Sequence, residues 1–422
     1  RELGSLKKAF EKIQAGLGQV IGLVGEAGVG KSRLILEFKG MLRHTPYTYL
    51  EGECLHFGSS MAYLPILDIV RSYFNIKEGL QEHIVKRRMD EKIDSLDQKL
   101  RYILPPLHEL LSLTVKDESF MKLEPKLKKE RTFEAIRDLL IRESQRNPLV
   151  LVVEDLQWID KTSEEFLNYL IGWLANTPIL LILLFRPEYT CSWGNKSYYS
   201  RIGLDHLPIM ERRELVESIL QGAEVSTELH DLITRKAGGN PLFMEELTNA
   251  LLESGYIEKS KHGYRLSRKV WEIRVPNTIQ GIIASRMDRL HENLKRTMQE
   301  ASVIGRDFAF SILETITRMK EELKSYLLEL QGLELVYEQS LFPELEYTFK
   351  HALVQEVAYN SLLLMRRREI HEKVGNAIET LYAARMEEFY EKLAYHYSKS
   401  EDKEKAYKYL KLSGIKATQN SS

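Results

Sequence analysis

A three-layer α/β fold built on a parallel sheet, followed by helical sections, is what this sequence predicts. Three observations carry the prediction. Apolar runs of strand length at 20–24, 47–52, 149–153 and 179–185 alternate with segments of helical periodicity. A glycine-rich turn, Gly25-Glu26-Ala27-Gly28-Val29-Gly30-Lys31-Ser32, joins the first run to a helix-like segment. Beyond about residue 207 the strand runs give way to helical patterning. At 422 residues the chain is too long for one core, so roughly two to four domains are expected.

The first run, Val20-Ile21-Gly22-Leu23-Val24, reads as a short buried strand, and Ser32 to Phe38 reads as a helix. The turn between them fits the phosphate-binding P-loop pattern GxxxxGK[ST] in the strand–loop–helix context that pattern requires. Its glycines let successive N–H groups point at the β- and γ-phosphates, and the positive end of the following helix adds to the field. Lys31 is expected to bridge the β- and γ-oxygens, and the Ser32 hydroxyl to take one position on Mg²⁺. The expected nucleotide contacts of the loop are therefore Glu26, Ala27, Gly28, Val29, Gly30, Lys31, Ser32 and Arg33, with ATP or ADP and Mg²⁺ as the bound species.

The second run at 47–52 is followed by an interval from about 75 to 130 that is charged and carries Pro105-Pro106 but no convincing strand. It reads as a helical insertion. Phe133, Ile136, Leu139 and Leu140 recur at helical spacing, so a helix leads into the third strand. That strand, Leu149 to Val153, ends in Glu154-Asp155, as a central parallel strand does where it meets a ligand crevice. One carboxylate is expected to reach the metal and its neighbour to orient the hydrolytic water; spacing alone does not decide which does which. Trp158 reads as packing, and Thr162-Ser163-Glu164-Glu165 as a capping box opening the next helix. The fourth strand, 179–185, ends in Arg186, a cation placed to sense the γ-phosphate.

Gly238-Gly239-Asn240-Pro241 breaks two helices. A section from about 276 to 365 mixes short helices with an expected hairpin, Leu335-Val336-Tyr337-Glu338 against Tyr347-Thr348-Phe349-Lys350 across a turn at Pro343. Helices followed by a two-stranded wing suggest a winged-helix domain. From about 366 the pattern is helical, and Ala406, Leu410, Gly414 and Ala417 have the small-residue spacing of one tetratricopeptide helix pair.

Composition narrows the function classes. Basic and acidic residues nearly balance at 60 against 61, which gives no overall drive toward nucleic acid or anionic membrane. The two cysteines, Cys54 and Cys191, form no CxxC and fit a reducing, cytoplasmic setting. No apolar stretch reaches the ~18 residues of a membrane span, and the N-terminus has no apolar signal region. The chain opens on Arg1 rather than Met, so a fragment of something longer is one expectation. A cyclase or kinase centre is absent from the motifs: there are no paired metal-binding aspartates of a cyclase and no HRD or DFG signature.

The ordered series Arg1-Glu2, GEAGVGKSRL (25 to 34), LVLVVEDLQWID (149 to 160), FRPE (185 to 188), AGGNPLFMEEL (237 to 247), VPNTI (275 to 279), ASVIGRDF (301 to 308) and FKHALVQEVAYNSLL (349 to 363) resembles the ATPase module of STAND proteins, signal-transduction relatives of the AAA ATPases. Within them it is most similar to the predicted ATPases fused to class III adenylyl or guanylyl cyclases, to kinases or to transcription regulators, with tetratricopeptide repeats following. The resemblance implies an α/β P-loop NTPase domain at 1–206 with the insertion at 75–130, a helical lid at 207–275, a winged-helix domain at 276–365, and at 366–422 a helical start of tetratricopeptide-like repeats. It further implies that Arg1 and Glu2 pack near the adenine, that Gly239, Asn240 and Pro241 approach the base, and that His351 touches the β-phosphate of ADP. Glu154 then takes the metal side and Asp155 the water side, reversing the commoner Asp-first order. The implied role is a slowly hydrolysing switch that controls a fused or associated effector in response to a protein or small-molecule trigger, with self-association in the ATP state. Nucleic-acid binding through a winged helix and a non-hydrolysing nucleotide-binding scaffold are the alternatives.

Overall fold

The fully apolar runs become the interior of a parallel sheet, because a strand covered by helices on both faces has no solvent side to mark with polar residues. In the computed structural model, β1 (Gln19–Val24), β2 (Thr48–Glu53), β3 (Leu149–Glu154), β4 (Ile179–Phe185) and β5 (Tyr199–Gly203) form one five-stranded sheet in the order β2-β3-β4-β1-β5. All of its pairings are parallel. The structure describes all residues except 55–61, 77–79, 191–192, 261–262, 274, 320–321, 341–343 and 422. Cys191 and the expected turn at Pro343 lie outside the described residues.

The chain divides into two units. Arg1–Glu26, Lys31–Leu204 and Leu410–Ser422 form the first, Ala27–Gly30 and Asp205–Tyr409 the second. In the first unit, alternate residues of each strand serve different cores. Val150, Val152, Leu180 and Ile182 pack with Leu6 and Phe10 of the helix Glu2–Gln14 and with Ile35 and Phe38 of the helix Lys31–Met41. Leu149, Leu151, Val153 and Leu181 pack on the other face with Ile103, Leu107, Ile136 and Leu139. The last four belong to the interval that follows β2, which is helical over Glu82–Leu96, Leu104–Leu110 and Pro125–Arg146. The period of two therefore sends Glu154, the residue after Val153, to the face occupied by the helix Lys31–Met41.

Three local expectations are corrected. The strand β5 was not anticipated, since Tyr199-Ser200-Arg201-Ile202-Gly203 carries polar residues and lies mostly exposed at the sheet edge. The helix Lys161–Ile171 is capped by Asp160, whose side chain accepts from Ser163 N–H at 2.9 Å, and not by Thr162. A small antiparallel hairpin, β6 (Ile257–Ser260) with β7 (Gly263–Leu266), interrupts the helical section after 207.

In the second unit, the helices Ile209–Ile219, Thr227–Ala237 and Pro241–Glu253 enclose Val216, Leu229, Ile233, Met244 and Leu247. The break between the last two holds Gly238 in the left-handed region, and Asn240 caps the next helix by accepting from Phe243 N–H. Further on, β8 (Asp307–Ala309), β9 (Val336–Ser340) and β10 (Glu346–Phe349) form an antiparallel sheet in the order β8-β10-β9. The expected pair of strands thus has a third partner, β8. After β10 come the helices Ala352–Asn360, Leu364–Leu381, Tyr390–Lys399 and Lys403–Ser421. Between Leu364–Leu381 and Tyr390–Lys399, His371 and His396 are buried with their Nδ1 atoms 2.9 Å apart. No helix among the described residues is long and apolar enough to cross a membrane.

Candidate active site

Ligands of open parallel sheets lie beyond the carboxyl ends of the strands, and β1, β3 and β4 all deliver sequence-predicted residues there. The turn after β1 uses Gly28 and Gly30 at φ of 81° and 102°, where an L side chain is strained. A Cβ on Gly28 would also lie 2.7 Å from the Leu242 Cβ, so only glycine fits. Lys31 opens its helix and curls back over the loop: its ammonium donates to the carbonyls of Gly25 at 2.7 Å and Glu26 at 3.0 Å. Burial lowers its pKa, opposed mainly by the charge of Asp155. A desolvated cation of this kind has the most to gain from an arriving anion.

The Ser32 hydroxyl donates to Glu154 Oε2 at 2.9 Å, across 122 residues of chain. Burial, together with the neighbouring Glu51, Glu53 and Asp155, pushes the Glu154 carboxyl up to about 7, while the Ser32 bond acts in the lowering direction. Glu53 is the register partner of Glu154 on the adjacent strand. Among the described residues no group of three or more His, Cys, Asp or Glu is placed to hold a metal. A phosphate-bound Mg²⁺ needs no such group, because it keeps water and phosphate oxygens and takes only one or two protein ligands. A hydroxyl and a carboxylate in contact, surrounded by excess negative charge, fit it: Ser32 and Glu154 would hold the ion, and a cation would replace the proton that Glu154 otherwise retains.

Asp155 sits at φ 57° and turns the chain out of β3 into the single 3-10 turn Leu156–Trp158. Aspartate tolerates this left-handed geometry better than most residues. Arg186 follows β4 directly, its backbone N–H donating to Gln157 Oε1 at 3.3 Å and its guanidinium lying 5.0 Å from the Trp158 ring. Trp158 therefore does more than pack: it seats the arginine. Gln157 also donates from Nε2 to Asp155 Oδ1 at 2.8 Å. Lys31, Ser32, Glu154, Asp155 and Arg186 are thus brought to one end of the sheet. Sequence reading missed Glu51, Glu53 and Gln157; the only available signal was the glutamates at the end of the second strand run and the glutamine inside the segment after the acids.

Arg1 is exposed, and Glu2 is half-buried in the first turn of its helix. Glu26 is exposed, Ala27 is half-buried and Val29 is buried. Arg33 pairs with Glu37 at 2.6 Å on the exposed face of the P-loop helix. Within the second unit, the Asn240 side chain donates to the Ala27 carbonyl at 3.0 Å, Gly239 is buried at φ 89°, and Pro241 opens its helix. His351 also lies in the second unit; its Nε2 is buried without a hydrogen-bond partner among the described residues, and burial lowers its pKa to about 4.

Residues 1–182 match the family described as AAA ATPase domain, and residues 209–260 match a domain of unknown function, DUF8739. An uncharacterized protein of Rhizobium meliloti, R02095, is 24% identical over 388 residues, covering 89% of this chain and 36% of that protein. The chain thus spans about a third of the curated relative it matches. Among solved structures, the STAND protein with a tetratricopeptide repeat sensor PH0952 from Pyrococcus horikoshii aligns with a TM-score of 0.54 at 13% identity, over 98% of this chain and 51% of that one. Residues 1–182 thus resemble the AAA ATPase domain family, and the chain shares its fold with a solved STAND protein.

Proposed function

We propose that this chain binds Mg·ATP at the carboxyl end of its parallel sheet, hydrolyses it slowly, and uses the difference between ATP and ADP to control an effector. The observation that carries the reading is the Ser32–Glu154 contact at 2.9 Å beside a desolvated Lys31. In the binding step, Lys31 exchanges its two loop carbonyls for phosphate oxygens. Mg²⁺, when bound, would supply charge neutralisation at the β- and γ-oxygens. Asp155 orients the attacking water and holds its proton by hydrogen bonding, and Arg186 meets the γ-phosphate.

We read the segment from the helix Glu292–Ile304 through β8, the helices Phe310–Thr317 and Glu322–Gly332, and β9-β10 as a winged helix, on the strength of its element order. In this reading His351, just after β10, contacts the β-phosphate of ADP and favours a closed resting state. A full switch from 1:99 to 99:1 requires about 5.5 kcal/mol of differential binding, within reach of several charge-assisted contacts. The effector is a fused or associated cyclase, kinase or regulator, and the trigger a protein or small molecule. DNA binding is not favoured, because the basic triplet is already engaged: Arg366 pairs with Glu300 and Glu369, Arg368 with Glu401, and Arg367 donates to the Leu362 and Asn360 carbonyls.

Calorimetric titration with Mg·ATP tests the site. Lys31→Ala is expected to abolish binding, and retained tight binding in that variant contradicts the assignment. Turnover with and without Mg²⁺ separates a hydrolysing switch from a scaffold.

A further inference from the structure

The single 3-10 turn after β3 is held at both ends. Leu156 is fully buried in the core on the insertion side of the sheet, and Trp158 N–H donates back to the Asp155 carbonyl at 3.0 Å. Farther on, the buried Asp160 accepts from Ser163 N–H and from Tyr63 N–H, at 2.9 and 3.3 Å. A turn fixed in this way presents the side chain of its middle residue, Gln157, in one place.

That side chain joins two groups that no other contact joins directly in the described structure. Its Nε2 donates to Asp155 Oδ1 at 2.8 Å, and its Oε1 accepts from the Arg186 N–H at 3.3 Å. The pair of contacts fixes the amide orientation, since flipping it would set an oxygen against the carboxylate and an NH₂ against an N–H. The adjacent Trp158 carries the Arg186 guanidinium on its ring. The ends of β3 and β4 are thus linked through one amide and one indole, on consecutive residues.

We propose that Gln157 is a positioning residue that couples the water-side carboxylate Asp155 to Arg186, so that engagement of the arginine by a terminal phosphate is felt at the carboxylate. The inference rests on the ATP-site reading above. It assigns to Gln157 neither substrate contact nor metal ligation. With Asp155 already accepting one bond from Gln157, its remaining lone pairs are aimed toward the water it must orient; without that bond the carboxylate is free to rotate. Misplacement on the scale of 1 Å costs on the order of a hundredfold in rate.

The test uses the whole chain, with Mg·ATP turnover, Mg·ATP and Mg·ADP affinity, and tryptophan emission. Gln157→Ala is expected to lower kcat by about ten- to a hundredfold while KM and Mg·ADP affinity stay within about threefold. Gln157→Glu places a carboxylate against Asp155; its kcat is expected to fall at least as far at neutral pH and, relative to Gln157→Ala, to recover as pH drops and a shared proton restores the bond. A role confined to packing would not produce that recovery. Mg·ATP should change tryptophan emission more than Mg·ADP does, and the excess should vanish in Trp158→Phe and shrink in Gln157→Ala. A wild type that hydrolyses ATP while both Gln157 variants match its kcat and emission response overturns the coupling and leaves the ATP-site reading standing. A wild type that neither binds nor hydrolyses Mg·ATP overturns that reading, and the coupling with it.

Discussion

Glu154 holds its proton near neutrality because it is buried among other acids, and on the proposed reading that same crowding makes it a pH-dependent ligand for Mg²⁺. A proton and Mg²⁺ compete for one carboxylate, so acidification must weaken the metal. With the carboxyl raised to about 7, apparent Mg²⁺ affinity in the presence of nucleotide should fall by up to about tenfold per pH unit below 7 and level off above it. Magnesium titrations of nucleotide binding between pH 5.5 and 8 measure this directly. Glu154→Gln should flatten the profile and weaken the metal at every pH. At this scale the glycine loop, Lys31, Ser32 and the acid pair were legible, since a motif within eight residues and a run of apolar residues ending in charge are local signals. Glu51, Glu53 and Gln157 were not, because their importance arises from strand register and side-chain reach, which connect positions far apart in the chain.

Elements were legible in proportion to how completely they are buried. Strands β1, β3 and β4 read as continuous apolar runs because helices cover both of their faces. The edge strand β5 carries Ser200 and Arg201 toward solvent and looks like loop. The strands β6, β7 and β8 have three or four residues each, too few to show any period. A Thr-x-x-Glu pattern suggested a cap two residues late because aspartate at 160 caps as well as threonine does, and here it is buried to do so.

The helix pair Leu364–Leu381 and Tyr390–Lys399 carries its own prediction. Burial drives the pKa of His371 down to about 3 and that of His396 in the same direction, with Lys399 and Arg367 acting on the first and Lys392 on the second. The Tyr359 hydroxyl lies 3.1 Å from His371 Nε2, and the Tyr395 ring packs edge-on against the same imidazole. Both histidines are neutral when folded and take up protons below about 6.5 when unfolded. The unfolded chain therefore binds more protons in that window, and stability is lost as pH falls from about 6.5 toward 3, at up to about 1.4 kcal/mol per unit for each group. Denaturant unfolding followed at pH 7 and pH 5 should show the loss, and His396→Gln should reduce its slope.

For the whole molecule, the proposed switch raises the question of what would hold an ADP-bound state. His351 carries a buried nitrogen without a partner among the described residues, a cost that a phosphate oxygen would offset. On the proposed reading, His351→Ala should speed ADP release about tenfold, the equivalent of one such hydrogen bond; stopped-flow displacement of a fluorescent ADP measures it, and an unchanged off-rate removes the clamp. The matched relatives are longer than this chain, which covers 36% of one and 51% of the other.

On the proposed reading, the left-handed turn at Asp155 constrains how ATP turnover could be lost without loss of the fold. Exchange for asparagine keeps the kink and discards the charge, and glycine does the same with more slack; alanine or glutamate would burden the backbone as well as the chemistry. Descendants that abandon turnover yet keep gripping nucleotide have their cheapest route through those two codons, and an engineer wanting a trapped ATP form should begin there.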